Sequence, residues 1–396
     1  MNIAPNLRWV RNHFYNRLMK PSVKIPTYAY ITIETVCNSR CGYCDMWKTK
    51  KGDQPTTEEW KTIIDDIRDL GVVTLTFSGG EPFINKDLFE LAAYAKSRGL
   101  MTMVVSNLSL FNDSHIEKIS ESFDFFGTSI DSTKPEIYKE IRGVDWLERN
   151  KQNIKKITDG LAELKSSTAV CAMVTVSNRN AHEIHEVLHM VFDELNMDTI
   201  SFNLIDTQGG ENAGNFAPME HQIDIYRKII LDHKSIYPIM NSTRYISQFG
   251  NFDYKCNPYK CIQINHEGTL ISPCLFIKGR NFNLREQKLS DVWKAKSTQE
   301  IYNNFSQCRK CNLGCVAEAA WSTYDLNFMF NDVLRGMMLP TLKRVKNRNS
   351  KKTRKAECNL EYPRIEYKRK NLTSRWSIKT SYFNLPKSLN QDFSKF

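Results

Sequence analysis

Between residues 27 and 207, short β-branched and aromatic runs alternate with stretches whose apolar residues recur every three or four positions. The runs TYAYITIE, VVTLTFS, MTMVVS, FDFFGTSI, STAVCAMVTV and TISFNLI predict six strands. The stretch TTEEWKTIIDDIRDLG predicts a helix, with Thr56 and Glu59 as a capping box and Gly71 as its stop. A second helix, Asp87 to Arg98, ends at Gly99 in the same way. Such alternation is the sequence form of repeated βα units and a parallel sheet. Six units are too few to close an eightfold barrel, so the expected architecture is α/β, an open and partial barrel.

The pattern changes after this. Residues 236–325 are rich in Cys, Gly, Asn and Pro, with short strand candidates around Cys261 and Cys274, and predict a small, loop-rich domain. Residues 326–345 place Phe328, Met329, Phe330, Met337 and Met338 at irregular helical spacing ahead of a basic run. The expected partition is a 1–26 extension, a 27–235 barrel, a 236–325 Cys-rich domain, and a 326–396 amphipathic helix and tail.

Charge sharpens this partition. The chain of 396 residues carries a formal charge of +11, but residues 341–396 hold 16 basic and 4 acidic residues and the rest of the chain is nearly neutral. A basic partner surface is therefore expected on the tail. The first twenty residues lack the apolar core of a secretory signal, and no run of about 18 apolar residues occurs. The expected location is cytoplasmic, with peripheral membrane contact through the tail. Thiols stay reduced there, so eleven cysteines call for a use other than disulfides.

Three of them, Cys37, Cys41 and Cys44 in CNSRCGYC, follow the first strand directly and so belong to the loop at its C-terminal end, the catalytic face of a βα barrel. Three thiolates this close can ligate three irons of a cubane and leave the fourth iron open to a ligand. A zinc site would need a distant fourth residue. This CxxxCxxC with Tyr43 before its last cysteine resembles the radical S-adenosylmethionine (radical SAM) superfamily, and Gly79-Gly80-Glu81-Pro82, one βα unit later, resembles that family's GGE motif. The resemblance spans about residues 27 to 320. It implies a partial (β/α)6 TIM-type barrel with a four-iron cluster at the three cysteines. It also implies S-adenosylmethionine on the open iron and reductive cleavage to a 5′-deoxyadenosyl radical that abstracts a hydrogen atom.

Polar residues at later strand ends would face the same mouth: Ser106 and Asn107, Ser129 and Asp131, and Asn178. By resemblance, positions like these contact the ribose and carboxylate of the cofactor, and Arg142 resembles an arginine that holds the carboxylate. Each strand-end residue is equally a candidate helix cap. Tyr43, Gly79, Gly80, Glu81, Pro82, Ser106, Asn107, Ser129, Asp131 and Arg142 are thus the expected cofactor-binding set, and no catalytic residue is singled out.

The remaining cluster is Cys256, Cys261 and Cys274, then Cys308, Cys311 and Cys315, with Gly268 in a hairpin candidate. The layout resembles the twitch and SPASM auxiliary-cluster domains. It departs from the full SPASM pattern in having CxxCxxxC where that pattern has CxxCxxxxxCxxxC, which counts against a second auxiliary cluster. The expectation is one auxiliary four-iron cluster held by Cys261, Cys274 and two of Cys308, Cys311 and Cys315, with Cys256 as an alternative ligand. A zinc knuckle at Cys308 and Cys311 competes with it.

Two readings from other classes compete with a radical enzyme. His185-Glu186-Val187-Leu188-His189 is a literal HExxH, as in zinc proteases, but its helix belongs to the βα series and should pack outside the barrel with Val187, Leu188, Val191 and Phe192 inward, leaving the histidines solvated. A metal-stabilised nucleic-acid-binding protein would use the tail, where Tyr362, Tyr367 and Trp376 interleave with Lys and Arg. The radical enzyme would need an electron donor such as ferredoxin or flavodoxin, and a peptide, lipid or small molecule as substrate. Its chemistry would be of oxidoreductase or transferase type. The short stretch before the first strand weighs against a fused peptide-recognition domain, and the tail suits an anionic membrane.

Overall fold

Strand and helix alternate as the apolar pattern predicts. In the computed structural model β1 (Tyr28–Glu34), β2 (Thr74–Gly79), β3 (Met101–Ser106), β4 (Phe125–Ser129), β5 (Ala169–Val176) and β6 (Thr199–Leu204) pair in sequence order, all parallel. The structure describes residues 4–19, 22–205, 210–251, 255–274, 279–305, 308 and 318. All lie in the first of two compact units, Met1–Lys351; the second, Lys352–Phe396, is outside the described residues. The predicted helix at 326–345, the basic tail, Cys311, Cys315 and Cys358 also lie outside them.

The sheet is covered as a parallel sheet must be. Strand β4 is buried along its whole length and β2 over its first four residues, and β1 buries Ala29, Ile31 and Ile33 completely. Helix α2 (Thr57–Asp69) turns Trp60, Ile63, Ile64 and Ile67 inward, each such side chain contributing about 1.5 to 3 kcal/mol of burial. Its capping box is formed as expected: Thr56 Oγ1 accepts the Glu59 N–H and Glu59 reaches back to the Thr56 N–H at 2.7 Å. Helices α3 (Leu88–Ser97), α4 (His115–Ser122), α5 (Pro135–Arg142) and α6 (Leu147–Glu163) connect the middle strands. Helix α3 ends before Gly99, whose positive φ of 81° makes the predicted stop.

Two elements differ from expectation. The helix predicted to carry the His185–His189 motif is a composite of a 3₁₀ turn (Ala181–Glu183), a short α7 (Ile184–His189) and a π turn (Met190–Glu194). The Cys-rich segment does form a hairpin, β7 (Cys261–Ile264) and β8 (Thr269–Ile271), with Gly268 at φ 75° in the turn. However, β7 pairs in parallel with β1, so one open sheet runs β6-β5-β4-β3-β2-β1-β7-β8-β9, where β9 is Phe282–Asn283. The first strand would otherwise present an unpaired edge beside the catalytic face.

Helix α1 (Ala4–Phe14) crosses the opposite end. Trp9 packs on Val73, and Asn12 Nδ2 donates to the Gly71 carbonyl at 2.7 Å, both just before β2 begins. No helix among the described residues is long and apolar enough to cross a membrane.

Candidate functional site

The cysteine loop begins with a sharp turn. At the end of β1, the fully folded-in carboxylate of Glu34 accepts the N–H groups of Thr35 (2.9 Å) and Val36 (3.0 Å), turning the chain into Cys37. The Cys44 N–H closes on the Cys41 carbonyl at 3.2 Å, and the Gly42 N–H binds the Ile141 carbonyl at the end of α5 at 3.0 Å. A Cβ at Gly42 would sit 2.3 Å from the Phe216 ring. Burial pushes the Cys37 and Cys44 thiols up, and the nearby Cys41 charge adds to both. Three thiols that repel one another once ionised fit a cationic centre placed among them.

The GGEP segment lies against this loop. Gly79 has φ 139°, and a Cβ there would lie 2.0 Å from the Glu34 carbonyl oxygen; at Gly80 it would lie 2.3 Å from that of Val36. The glycines are therefore dictated by close approach of the β2 end to the turn before Cys37. Pro82 opens a 3₁₀ turn and is buried. Glu81 is completely buried, and its carboxylate is engaged by the Ser106 hydroxyl (2.7 Å), the Phe83 N–H (3.1 Å) and the Asn107 N–H (2.7 Å). Burial raises its pKa and these three donors oppose the rise. In this arrangement the side chain ties β2 to β3.

Asn107 extends the tie. Its Nδ2 lies 2.9 Å from Asn38 Oδ1, 3.1 Å from Ser39 Oγ and 3.9 Å from Cys37 Sγ. Across the mouth, Arg142 at the end of α5 pairs through Nε with the buried Asp131, lies 3.9 Å from Cys41 Sγ through its terminal nitrogen, and covers the Tyr43 ring at 5.7 Å. Asp131 also accepts the Thr175 N–H at 2.6 Å, and its backbone carbonyl accepts Asn180 Nδ2 at 2.8 Å. Tyr43 reaches Thr175 Oγ1 at 3.1 Å. Ser129 is buried on the last position of β4.

The predicted strand-end residues are thus brought to one end of the sheet, though Asn178 turns its Nδ2 to the Asn215 carbonyl at 3.0 Å. Glu34, Thr175 and Asn180 belong to the same network and were not singled out from the sequence; the signal for them is a polar residue closing or following an apolar strand. Thr35 Oγ1, Trp47 Nε1 and Asn178 Oδ1 are buried with no protein hydrogen-bond partner. Such orphaned groups around the cysteine loop fit a site that binds a polar ligand. The segment after β6 joins the loop too: the Glu211 N–H donates to Asp45 Oδ2 at 2.8 Å, and Lys48 bridges Asp45 and Glu211.

In the Cys-rich segment, the Cys256 N–H donates to the Cys308 carbonyl at 2.8 Å, bringing those two positions together. Buried Tyr302 lies near both Cys261 and Cys274, whose charges help burial push its phenol up. Four of the six predicted ligands are therefore described as thiols of one segment; Cys311 and Cys315 lie outside the described residues.

The HExxH helix packs outside the barrel as expected, with Val187, Leu188, Val191 and Phe192 buried and Glu186 exposed to solvent. Its histidines, expected to be solvated, are half-buried and in contact with α8 (Glu220–His233), with the His189 side chain still 39% exposed. His185 Nδ1 meets Nε2 of His233, on α8, at 3.1 Å, and His189 Nε2 meets His185 Nε2 at 3.2 Å. His233 Nδ1 faces the Ile229 carbonyl at 2.8 Å and His189 Nδ1 faces Asp193 at 2.7 Å. His185 and His189 are engaged by His233 and Asp193 and Glu186 is exposed to solvent, so the motif serves helix packing and does not make a protease site.

Comparison with known proteins agrees with this geometry. Residues 31–191 match the radical SAM superfamily and residues 256–312 match SPASM, an iron-sulfur cluster-binding domain; together they account for more than half of the chain. The PqqA peptide cyclase of Bradyrhizobium diazoefficiens is 25% identical over 211 residues, 52% of this chain and 54% of that protein, so the match spans about half the length of that relative. The AdoMet-dependent heme synthase of Methanosarcina barkeri is 27% identical over 322 residues, covering 73% of this chain and 90% of that one. Among solved structures, Streptococcus suis SuiB bound to the precursor peptide SuiA shares the fold, with a TM-score of 0.60 and 17% identity over 80% of this chain and 76% of that chain. The chain thus carries a radical SAM domain, with a four-iron cluster and S-adenosylmethionine as its cofactors, followed by a SPASM domain with an auxiliary iron-sulfur cluster.

Proposed function

We propose that this protein is an enzyme that cleaves S-adenosylmethionine reductively and uses the resulting radical to abstract a hydrogen atom from its substrate. The observation that carries the reading is the meeting, at one end of the sheet, of the Cys37-Cys41-Cys44 loop with Gly79-Gly80 and with the Arg142–Asp131 pair. When bound, the cluster and cofactor supply the one-electron chemistry. The protein's own groups have three tasks. Cys37, Cys41 and Cys44 hold the cluster. Arg142, fixed by Asp131 and by the Tyr43 ring, presents a guanidinium fork suited to a carboxylate. Asn107, Ser106, Ser129 and the orphaned Thr35 and Trp47 groups supply polar contacts to the rest of the cofactor.

In the Cys-rich segment, Cys256, Cys261, Cys274 and Cys308 with Cys311 and Cys315 are the thiols from which the auxiliary cluster draws its ligands. A low-potential donor such as reduced flavodoxin or ferredoxin supplies the electron. The relatives act on a peptide and make a heme, so radical chemistry, more than any one substrate, is what they share.

The test is anaerobic reconstitution followed by reductant and S-adenosylmethionine. About eight irons per chain are expected, with 5′-deoxyadenosine formed slowly without substrate, and Cys37→Ala/Cys41→Ala/Cys44→Ala should retain about four irons and form none. Full iron retention in the triple variant, or stoichiometric zinc in the wild type, would overturn the reading.

A further inference from the structure

The first helix carries a surface that the barrel does not explain. Trp9, Asn12, His13 and Asn16 are buried against the closed end of the sheet, where Arg8 also reaches the Val72 carbonyl. The opposite face leaves Leu7 at 65%, Tyr15 at 41%, Leu18 at 69% and Met19 at 69% exposed. Leu7, Arg11, Tyr15 and Leu18 follow one another at steps of four, four and three residues, a single stripe along α1 and the π turn Tyr15–Met19 that continues it. Of the nine large apolar side chains exposed among the described residues, these four fall within thirteen positions and the other five are scattered. A clustered set of this kind marks a docking face, whereas scattered ones need no explanation.

Charge selects the occupant. Residues 1–33 contain Arg8, Arg11, Arg17, Lys20 and Lys24 and no Asp or Glu. That segment is +5 and residues 341–396 are +12, so the stretch between them is −6. Arg8, Arg11 and Arg68 lie close enough to lower the Arg8 pKa beyond what burial alone does. Of the nearby carboxylates, Asp69 is paired with Arg68 at 2.6 Å. Beside Tyr15, a cleft of about 290 Å³ is lined by Val23, Ile25, Leu70 and Trp293, with two lysines, Lys24 and Lys294, against the one carboxylate of Asp69. An apolar stripe in a segment that carries only basic charge, leading to an apolar cleft whose walls are net basic, is the complement of an anionic lipid surface.

We infer that the outer face of α1 docks on an anionic bilayer, with Leu7, Tyr15, Leu18 and Met19 entering the interface and Arg11 meeting headgroup phosphates. Helix α1 lies at the end of the sheet opposite the cysteine loop. Docking therefore turns the catalytic mouth away from lipid, toward a substrate that arrives through water.

The experiment compares the full-length wild type with Leu7→Gln/Leu18→Gln, a neutral pair at exposed positions, and with Arg11→Glu. Partition is measured onto vesicles of phosphatidylglycerol and phosphatidylcholine, about 3:7, and onto phosphatidylcholine alone. The wild type should prefer the anionic vesicles, and the double variant should bind them at least about tenfold more weakly while keeping its iron and its cofactor cleavage. Arg11→Glu should weaken binding most at low salt. Equal partition of wild type and double variant would assign any binding to the basic tail and overturn the inference, as would failure of the wild type to bind at low salt. A dimer in solution that the double variant dissolves, without vesicle binding, would assign the face to a second copy of the chain and overturn it as well.

Discussion

The backbone N–H of Asn107 donates to Glu81 Oε2 at 2.7 Å while its side-chain amide points at Cys37 Sγ from 3.9 Å. One residue thus joins the end of β3 to the buried carboxylate after β2 and to the first cysteine after β1. The relationship gives GGEP a structural meaning besides ligand contact, because its glycines and its glutamate set where the cysteine loop stands.

Substitutions in GGEP separate these meanings. Gly80→Ala places a methyl 2.3 Å from the Val36 carbonyl oxygen and 2.6 Å from that of Thr35, backbone atoms with no freedom to swing away. It should lower 5′-deoxyadenosine formation by about tenfold or more, equivalent to about 1.4 kcal/mol in the barrier. Glu81→Gln sets an amide N–H₂ against at least one of the donors it now accepts, at a cost of about 1 to 3 kcal/mol. Its melting temperature should fall along with its turnover, whereas loss of a ligand contact alone would leave the melting temperature unchanged.

Arg142 and Asp131 form a buried pair whose members depend on one another. Asp131→Asn or Arg142→Met should each destabilise the protein by about 3 to 5 kcal/mol, because each leaves one charge buried without its partner. Asp131→Leu/Arg142→Met removes both charges and should recover most of that loss in thermal unfolding. The double variant should still bind S-adenosylmethionine at least about tenfold more weakly by equilibrium dialysis, since the guanidinium fork is gone. Wild-type affinity in the stable double variant would remove Arg142 from the cofactor site.

The histidines give a pH dependence. Burial lowers the pKa of His185, helped by the charges of His189 and His233; burial lowers that of His233 as well, against the Ile229 carbonyl. In the unfolded chain both return to about 6.5. Because the folded values are depressed, the stability they contribute is complete above about pH 6.5 and is lost as pH falls from there through the folded values. With its Nδ1–H donated to the Ile229 carbonyl, His233 would take a second proton on Nε2 and set N–H against N–H at His185 Nδ1. Chemical denaturation at pH 7.5 and 5.5 should show a smaller loss of stability in His233→Asn than in the wild type; an equal loss would exclude the histidines as the origin.

Much of the barrel was legible from periodicity and punctuation. The six strands, the Thr56–Glu59 capping box and the stop at Gly99 rest on local chemistry, which acts over a few residues and is written in sequence order. The cysteine spacing and GGEP are local in the same sense, since each lies on one loop. The composite helix at 181–194 was not legible, because its histidines find His233 nearly forty residues beyond it and that contact leaves no mark on the helical repeat.

Three features were decided by tertiary structure alone. The hairpin at Cys261 was visible as a hairpin, but its pairing with β1 was not; an open edge is closed by whichever strand the chain can bring to it. Glu34, Thr175 and Asn180 read as ordinary strand-end residues until burial removes water and leaves the Cys loop and Asp131 as the groups they must satisfy. The outward stripe on α1 was hidden among interspersed basic and polar residues, because which face of a helix stays exposed depends on what the other face buries, and only the fold places Trp9 against Val73. The sequence determined the strands, caps and ligand-bearing loops through interactions between near neighbours, whereas the assembly of the mouth and the choice of exposed face needed residues far apart in the chain to compete for the same space.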